Sequence, residues 1–219
     1  MAKRYLPAGE RWTVGILMVG RRDNDWRRAK KEAVDLYDVK GALEELCAKL
    51  RVKDISFTPM EFAGFESGQC AEMHLQGKAI GRLGRVADEI VADWDIKKAA
   101  IYFAEVDLED IREAVAPREK YALPGDFPAV TRDLSLSVKV GTASFADLKT
   151  LCEESGQGLL QRIDFVELYT GDKIESGCKG YVLSLTYQSG ERTLTDDEVN
   201  ALQESIVRKL IEKFGVKQR

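Results

Sequence analysis

Two hydrophobic periods alternate along the second half of the chain. Apolar residues at every second position predict three strands, at 133–138, 161–170 and 180–187. Apolar residues at helical spacing predict a helix that begins at Ser144 and a longer helix that begins at Thr195, and a short strand follows at 214–218. The order β-α-β-β-α-β is that of a ferredoxin-like domain. We therefore expect a four-stranded antiparallel sheet with both helices on one face and with the other face open.

Capping signals support both of these helices. Thr195 and Glu198 have the spacing of a capping box, in which each side chain satisfies a backbone N–H of the other residue. Ser144 and Asp147 have the same spacing, although aspartate is a weaker partner than glutamate. Both helices are thus predicted to begin at defined residues.

The first half predicts a second unit with mostly antiparallel strands. Nearly continuous apolar runs at Thr13–Val19 and Ala99–Leu108 have the length of strands, and a helix is predicted over Asp38–Leu50. Three prolines and a glycine interrupt the periodicity at Pro117–Pro128. The expected class is α+β, with a mixed or antiparallel module at residues 1–116, a linker at 117–128 and the ferredoxin-like domain at 129–219.

The open face of the second domain carries an unusual set of side chains. Because the apolar positions must meet the helices, strand parity turns Phe165, Glu167 and Tyr169 to the open face. Small residues and one valine are predicted to surround them: Ser135, Ser137, Gly180, Val182 and Ser184. Aromatic rings on an uncovered sheet suit stacking on an unpaired base. The alternative interpretation is that another layer buries Phe165 and Tyr169.

Charge limits the kind of nucleic-acid contact that this face can make. The net charge of −4 is poor for non-specific binding to phosphates. From Asp126 onward, 12 basic and 15 acidic residues give a net charge of −3. Only Arg208–Arg219 departs from this balance, with five basic residues and one acidic residue. Any nucleic-acid contact should therefore involve the C-terminal end and be local and specific.

Few residues offer catalytic or metal-binding chemistry. The four cysteines are scattered without a Cys-x-x-Cys pair, and His74 is the only histidine, so we expect neither a zinc site nor disulfides. A GxxxxGK[ST] phosphate loop is absent, and we can assemble no active site from the sequence. Apolar runs stay below the ~18–20 residues of a membrane span, and the start lacks the apolar segment of a signal peptide. We expect a cytoplasmic protein with no catalytic residue, no metal and no membrane contact.

Several separated motifs resemble one family in order and spacing. In the second half they are FPAVTRDL, VELYTG, CKGYVLSLTYQ, ERTLTDDEVNALQ and FGVK. Together they resemble the C-terminal anticodon-binding domain of the bacterial phenylalanyl-tRNA synthetase β subunit. In the first half, LYDVKGALEEL and KAIGRLGRVADEI resemble the preceding region of that subunit, a catalytic-like module without an active site. The resemblance covers nearly the whole chain and implies a C-terminal fragment of the β subunit.

The resemblance implies an anticodon-binding site on the open face. The tyrosine that stacks on the first anticodon base falls on Tyr169, and an acidic base-reading position falls on Glu167. Two small positions of the site fall on Ser135 and Gly180, where glycine lacks the hydroxyl of a serine found in relatives. The basic position of the last strand falls on Lys217; lysine replaces arginine there, so bidentate recognition is lost.

Other motif positions leave two interpretations open. Arg132 and Asp133 match the Arg-Asp-Leu motif, and they form either a strand-edge ion pair or a contact with the anticodon. Phe165 either presents its ring on the open face or packs against a neighbouring loop. The family's His-Pro-Gly-Arg-Ser-Ala run is replaced by Glu-Ser-Gly-Gln-Cys-Ala at 66–71. This stretch lacks the basic pair and therefore the contacts, with the α subunit or with the core, that the pair would supply.

The resemblance also implies partners and a function. The partners are tRNA-Phe and the α subunit of phenylalanine–tRNA ligase, in an α2β2 assembly. The α subunit carries the aminoacylation site with ATP and magnesium, so this chain itself binds no cofactor. We expect anticodon recognition by the second domain and subunit assembly by the first half. Two alternatives remain open: a ferredoxin-like small-molecule regulatory module that pairs sheet edge to sheet edge, and a pure assembly domain.

Overall fold

The predicted α+β class is confirmed in a computed structural model, which describes residues 1–7, 9–22, 32–94, 96, 99–117, 127–169 and 174–219. The chain divides into two compact units, Met1–Lys120 and Tyr121–Arg219. Most of the predicted linker, residues 118–126, lies outside the described residues, and so does Thr170 at the end of the predicted strand 161–170. The bounds of the linker therefore stay a prediction.

An antiparallel sheet forms the first unit, with the strand order β1-β2-β6-β5-β4-β3. The strands are β1 Ala2–Leu6, β2 Gly9–Val19, β3 Ile55–Pro59, β4 Phe65–Leu75, β5 Lys78–Val86 and β6 Ile101–Asp107. The helices are α1 Leu36–Lys49, α2 Asp88–Asp93 and α3 Leu108–Glu113. The two apolar runs that predicted strands thus form β2 and β6, which pair with each other in the middle of the sheet.

Helix α1 covers one face of this sheet. Asp35 caps it through a capping box with Asp38, so the helix begins before the predicted first residue. The side chains that it buries lie one turn apart: Val39, Leu43 and Cys47. They join a buried cluster with sheet residues such as Leu83 and Ala104. The core of the first unit therefore lies between α1 and the sheet.

The second unit has the predicted β-α-β-β-α-β order. Its elements are β7 Val130–Lys139, α4 Phe145–Ser155, β8 Leu160–Tyr169, β9 Cys178–Tyr187, α5 Asp196–Phe214 and β10 Lys217–Gln218. The strands are antiparallel neighbours in the order β10-β7-β9-β8. Phe214 lies in α5 and not in the last strand, because Gly215 ends the helix with a left-handed φ of 63°.

Both helices of the second unit pack on the same face of its sheet. One buried cluster joins the central strands with α4 and α5: Leu134, Leu136, Leu183, Leu185, Leu148, Ile206 and Leu210. These strand residues occupy alternate positions, so the intervening residues of β7 and β9 point to the opposite face. The sheet therefore has a helix face and an open face, as the sequence predicts.

Both predicted capping boxes are confirmed. Ser144 pairs with Asp147 at the start of α4, and Thr195 pairs with Glu198 at the start of α5. Glu198 also accepts hydrogen bonds of 2.7 and 2.5 Å from Arg192. The bond from Arg192, followed by the bonds from Thr195, lowers the pKa of Glu198 from 4.5 to about 2. The start of α5 is thus held by a carboxylate that stays ionised in moderate acid.

We expect Glu198→Gln to lower the melting temperature of the protein at neutral pH. Because the pKa of Glu198 is depressed in the folded state, its contribution is present above pH 4.5 and is lost as the pH falls towards about 2. Thermal unfolding of both proteins across this range should show the difference shrinking with pH. Glu204→Gln, in the exposed middle of α5, is the matched control. A difference that is equally large at both ends of the range would contradict this account.

Candidate nucleic-acid interface

A β-bulge in β8 decides which of its side chains reach the open face. Phe165 lies opposite Leu183, but the next pair joins Glu167 to Val182, so Val166 is an extra residue in β8. An extra residue reverses the alternation of side chains beyond it. Tyr169 follows in the new register, opposite Gly180. Glu167 and Tyr169 therefore lie on the open face as predicted, whereas Phe165 lies on the helix face.

The prediction that Phe165 faces the open side is wrong. Its ring packs edge-to-face on Phe145 of α4, with ring centroids 5.4 Å apart. A second edge-to-face contact joins it to Tyr181, at 6.4 Å. The ring is still 47% exposed because β8 is at the edge of the described sheet. Phe165 thus extends the core at the rim of α4 and takes no part in the open face.

The Tyr169 ring lies flat on the open face, above Gly180. A Cβ atom at position 180 would lie only 2.4–2.7 Å from Cζ, Cε1 and Cε2 of the ring. Nearly equal distances to these three atoms place the ring face, and not its edge, over the glycine. The Tyr169 hydroxyl then reaches the Ser135 hydroxyl, 3.0 Å away on β7. The ring therefore crosses β9 from one side to the other, with its inner face on the sheet and its outer face turned away from it.

Electrostatic neighbours favour the ionised form of the Tyr169 hydroxyl. The hydrogen bond with Ser135 has the largest effect and lowers the pKa of Tyr169, and the Arg219 guanidinium adds to it. Partial burial and the charge of Glu167 act in the opposite direction. Arg219 reaches this place because its backbone N–H donates a 3.0 Å hydrogen bond to the Ser135 carbonyl oxygen, just beyond β10. An arginine thus stands at the hydroxyl end of the ring, and Glu167 is exposed on the same face.

The sequence interpretation missed Arg219. It assigned the basic position of the last strand to Lys217, which pairs with Ser137 in the sheet. The Lys217 ammonium lies 2.6 Å from the Glu175 carboxylate, and this contact raises the pKa of Lys217. Lys217 and Arg219 both lie on the open face, because residues two positions apart along a strand point to the same side of the sheet. The sequence did contain a signal for Arg219. It belongs to the basic C-terminal stretch and lies two residues after Lys217, so alternation along the strand puts both on the same face.

Arg132 lies apart from the other predicted site residues. It pairs with Leu185 in the sheet, so its side chain is on the helix face, where it forms an ion pair with Asp196 at the start of α5. The predicted ion pair between Arg132 and Asp133 is wrong, because consecutive strand residues point to opposite faces. Asp133 instead accepts a 2.9 Å hydrogen bond from Ser184 on the open face.

The structure therefore brings together five of the six predicted site residues. They share the open face: Tyr169, Glu167, Ser135, Gly180 and Lys217. A pocket of about 170 Å³ adjoins them and is lined by Ser137, Glu175, Lys217, Gln218 and Arg219. The roles assigned to these residues, and the contact role of Arg132, stay predictions. The arrangement offers a flat aromatic surface with an acceptor-only carboxylate and two cations around it.

The first unit has a charged groove on its sheet, with a volume of about 400 Å³. Ion pairs join its arginines to its own carboxylates: Arg4 to Glu105 at 3.0 Å, Arg82 to Glu105 at 3.1 Å, and Arg11 to Asp107 at 2.6 Å. These ion pairs balance the charge of the groove, which therefore offers no concentrated field of one sign.

The altered 66–71 stretch lies in β4, where Ser67 and Gly68 donate hydrogen bonds to Glu61.

In the part of the chain that the structure describes, no three His, Cys, Asp or Glu side chains come close enough together to hold a metal ion. Among the same residues, no helix is long and apolar enough to cross a membrane. The expected lack of catalytic residues, metal and cofactor stays a prediction.

Comparison with known proteins assigns a class to each unit. Residues 125–219 match the model of the ferredoxin-fold anticodon binding domain. The second unit, with its ferredoxin-like fold and open sheet face, therefore belongs to the class of anticodon-binding domains. Residues 2–108 match the model of the phenylalanyl tRNA synthetase beta chain CLM domain. Together the two matches cover most of the chain, and the chain belongs to the phenylalanyl-tRNA synthetase β-chain family.

Individual relatives agree with both matches. The chain is 33% identical to the phenylalanine–tRNA ligase beta subunit of Bacillus cereus over 215 residues. This aligned region covers 98% of the chain and 26% of the relative. It is 32% identical to the same subunit of Moorella thermoacetica, over all of the chain and 28% of the relative. The subunit of Thermotoga maritima is 31% identical over 86% of the chain and 24% of its own length. The chain thus spans about a quarter of the length of these relatives.

Proposed function

We propose that the second unit binds the anticodon loop of tRNA-Phe. The observation that supports this most is the flat Tyr169 ring on the open face, in a unit of the anticodon-binding class. An unpaired base stacks on the outer face of such a ring, and one stack is worth about 1–3 kcal/mol. Stacking of a single base on Tyr169 therefore makes the main contribution to affinity, and the surrounding polar groups make a smaller one.

Glu167 gives the site a means to distinguish bases. An ionised carboxylate only accepts hydrogen bonds, so it binds the N–H groups on a base edge and repels phosphate. Glu167 lies two residues before Tyr169, on the same face and exposed. A base that stacks on the ring thus turns its edge towards an acceptor, and bases that present N–H groups there are favoured.

Arg219 supplies attraction for phosphate, and Lys217 adds to it when a phosphate takes the place of its Glu175 partner. Both lie on the open face at the β10 edge of the sheet, on the side of Tyr169 where its hydroxyl points. The chain has a net charge of −4, and these two cations can neutralise only a few phosphates, so the affinity should depend weakly on salt. For a single strand, two neutralised phosphates give a slope of about −1.4 in log K against log salt concentration.

Titration with RNA hairpins tests this function. We expect the chain to bind the anticodon stem-loop of tRNA-Phe more tightly than the same stem with a different anticodon, with the shallow salt slope given above. Fluorescence anisotropy of labelled hairpins measures both quantities. Equal affinities for the two hairpins would overturn anticodon recognition. A rise in melting temperature with an amino acid, without RNA binding, would favour the regulatory module.

We further propose that the chain acts within phenylalanine–tRNA ligase, the enzyme named for its relatives. In this proposal the first unit is an assembly surface for the α subunit, which carries the aminoacylation site with ATP and magnesium, in an α2β2 enzyme of the cytoplasm. The chain itself binds no cofactor. The match of residues 2–108 to a β-chain domain supports this proposal.

A further inference from the structure

We propose that Gly180 and Ser135 are positioning residues, which hold the Tyr169 ring flat so that only its outer face is offered to a base. This inference rests on the proposed binding of an anticodon and concerns how the free protein prepares for it. It differs from the direct contact with the anticodon that the resemblance implies for both residues.

Gly180 supplies the space that the ring occupies. The distances of 2.4–2.7 Å between a Cβ at this position and three ring atoms are shorter than any real contact, so a side chain would lift the ring. Its neighbours offer no other place of this kind, because Val182 and Ser137 both carry side chains on the open face. A glycine is therefore required for the ring to lie flat in this place.

Ser135 fixes the other end of the ring. The ring leaves β8 at its Cβ, and its hydroxyl is bound 3.0 Å from the Ser135 hydroxyl on β7, beyond the whole width of β9. An aromatic side chain that is attached at both ends loses its rotational freedom before any ligand binds. The entropic cost of ordering the ring is then met in the free protein, which is the usual benefit of preorganisation.

The same geometry explains why these residues act through Tyr169. The ring covers Gly180, and the Ser135 hydroxyl already has the Tyr169 hydroxyl as its partner. A base that stacks on the outer face is separated from Gly180 by the thickness of the ring. Substitutions at 180 or 135 should therefore change binding only while the ring is present.

The first test needs no RNA. With tyrosine labelled at the ζ carbon, NMR measures the pKa of the Tyr169 hydroxyl, whose signal is the one lost in Tyr169→Phe. We expect Ser135→Ala and Gly180→Ala each to raise this pKa towards the ordinary tyrosine value, because both break the hydrogen bond that lowers it. Ser184→Ala is the matched control, since that serine bonds to Asp133 on the same face. An unchanged pKa in both variants would overturn the proposal.

The second test is a double-mutant cycle with the anticodon stem-loop. We expect Gly180→Ala and Ser135→Ala each to weaken binding by about 2- to 13-fold, the range for ordering one side chain again on binding. In a Tyr169→Ala background neither should cause further loss. Gly15→Ala is the control for the glycine, because a Cβ there meets its nearest atom at an ordinary 3.7 Å. The same loss in both backgrounds would mean direct contact and would overturn the positioning role.

The two tests separate this inference from the proposed function. If the wild-type chain does not distinguish the hairpins, anticodon recognition fails while the NMR titration still decides whether Gly180 and Ser135 hold the ring. If the chain does distinguish them and the pKa is unchanged in the variants, only the positioning role fails. Melting temperatures of the variants show whether they remain folded, and Ser135→Ala removes a single hydroxyl without adding volume.

Discussion

Replacing Tyr169 with alanine is expected to weaken binding of the tRNA-Phe anticodon stem-loop by about 5- to 150-fold, the equivalent of one base stack at about 1–3 kcal/mol. The ring is the only large apolar surface that the described residues place flat on the open face, since Phe165 lies on the helix face. Its loss leaves the carboxylate and the two cations without the surface that aligns a base between them.

Controls for this substitution separate stacking from general effects. Tyr5→Ala removes a tyrosine that is 75% exposed in the first unit, and its affinity should match that of the wild type. Tyr169→Phe keeps the stacking surface and loses the bond to Ser135, so its loss should be smaller than that of Tyr169→Ala. Fluorescence anisotropy with the same hairpin compares all of them. If Tyr169→Ala binds as tightly as Tyr5→Ala, the stacking assignment is wrong.

Leu183→Ala is expected to lower the free energy of unfolding of the second unit by about 2–5 kcal/mol. Leu183 is 0% exposed in the central strand β9, between Leu134 on one side and Phe165 on the other. Removing its side chain leaves a cavity under both helices that the strands on either side cannot close. Since domains are stable by about 5–15 kcal/mol, the variant loses a large part of its margin.

The matched control for this substitution is Leu168→Ala. Leu168 is a leucine of the same sheet, but it is 44% exposed on the edge strand β8, so its loss should cost less than half as much. Urea unfolding followed by far-ultraviolet circular dichroism measures both variants. Tryptophan fluorescence records the first unit separately, because Trp12, Trp26 and Trp94 all lie in it. Equal losses for the two leucines would contradict this view of the core.

Local signals in the sequence predict the elements of the second unit well. The capping boxes at Ser144 and Thr195 mark the helix starts, because a cap and its partner are only three residues apart and need no information from elsewhere. Alternation likewise predicts β7 and β9, which are regular and paired on both sides. These elements together fix the ferredoxin-like order and the existence of an open face.

Local sequence patterns do not predict strand irregularities or contacts between residues far apart in the chain. Parity assumes one residue per step, so the extra residue at Val166 reversed the expected side of Phe165, and no glycine marks the bulge. The Tyr169–Ser135 bond joins residues 34 positions apart, and the place of the ring over Gly180 depends on three strands at once. Arg219 enters the site only through a backbone bond to β7. The precise site is therefore a product of strand register.

The bulge at Val166 also bears on how the second unit behaves at high concentration. Within the described residues β8 is the outermost strand on its side of the sheet, with Val166 and Leu168 exposed, and an edge of this kind is a template for another chain. A bulge bends the strand and breaks the even spacing of its outward N–H and C=O groups. A second strand then finds no continuous ladder along β8. We therefore expect the irregularity that brings Glu167 and Tyr169 to the open face to hinder self-association along β8 as well.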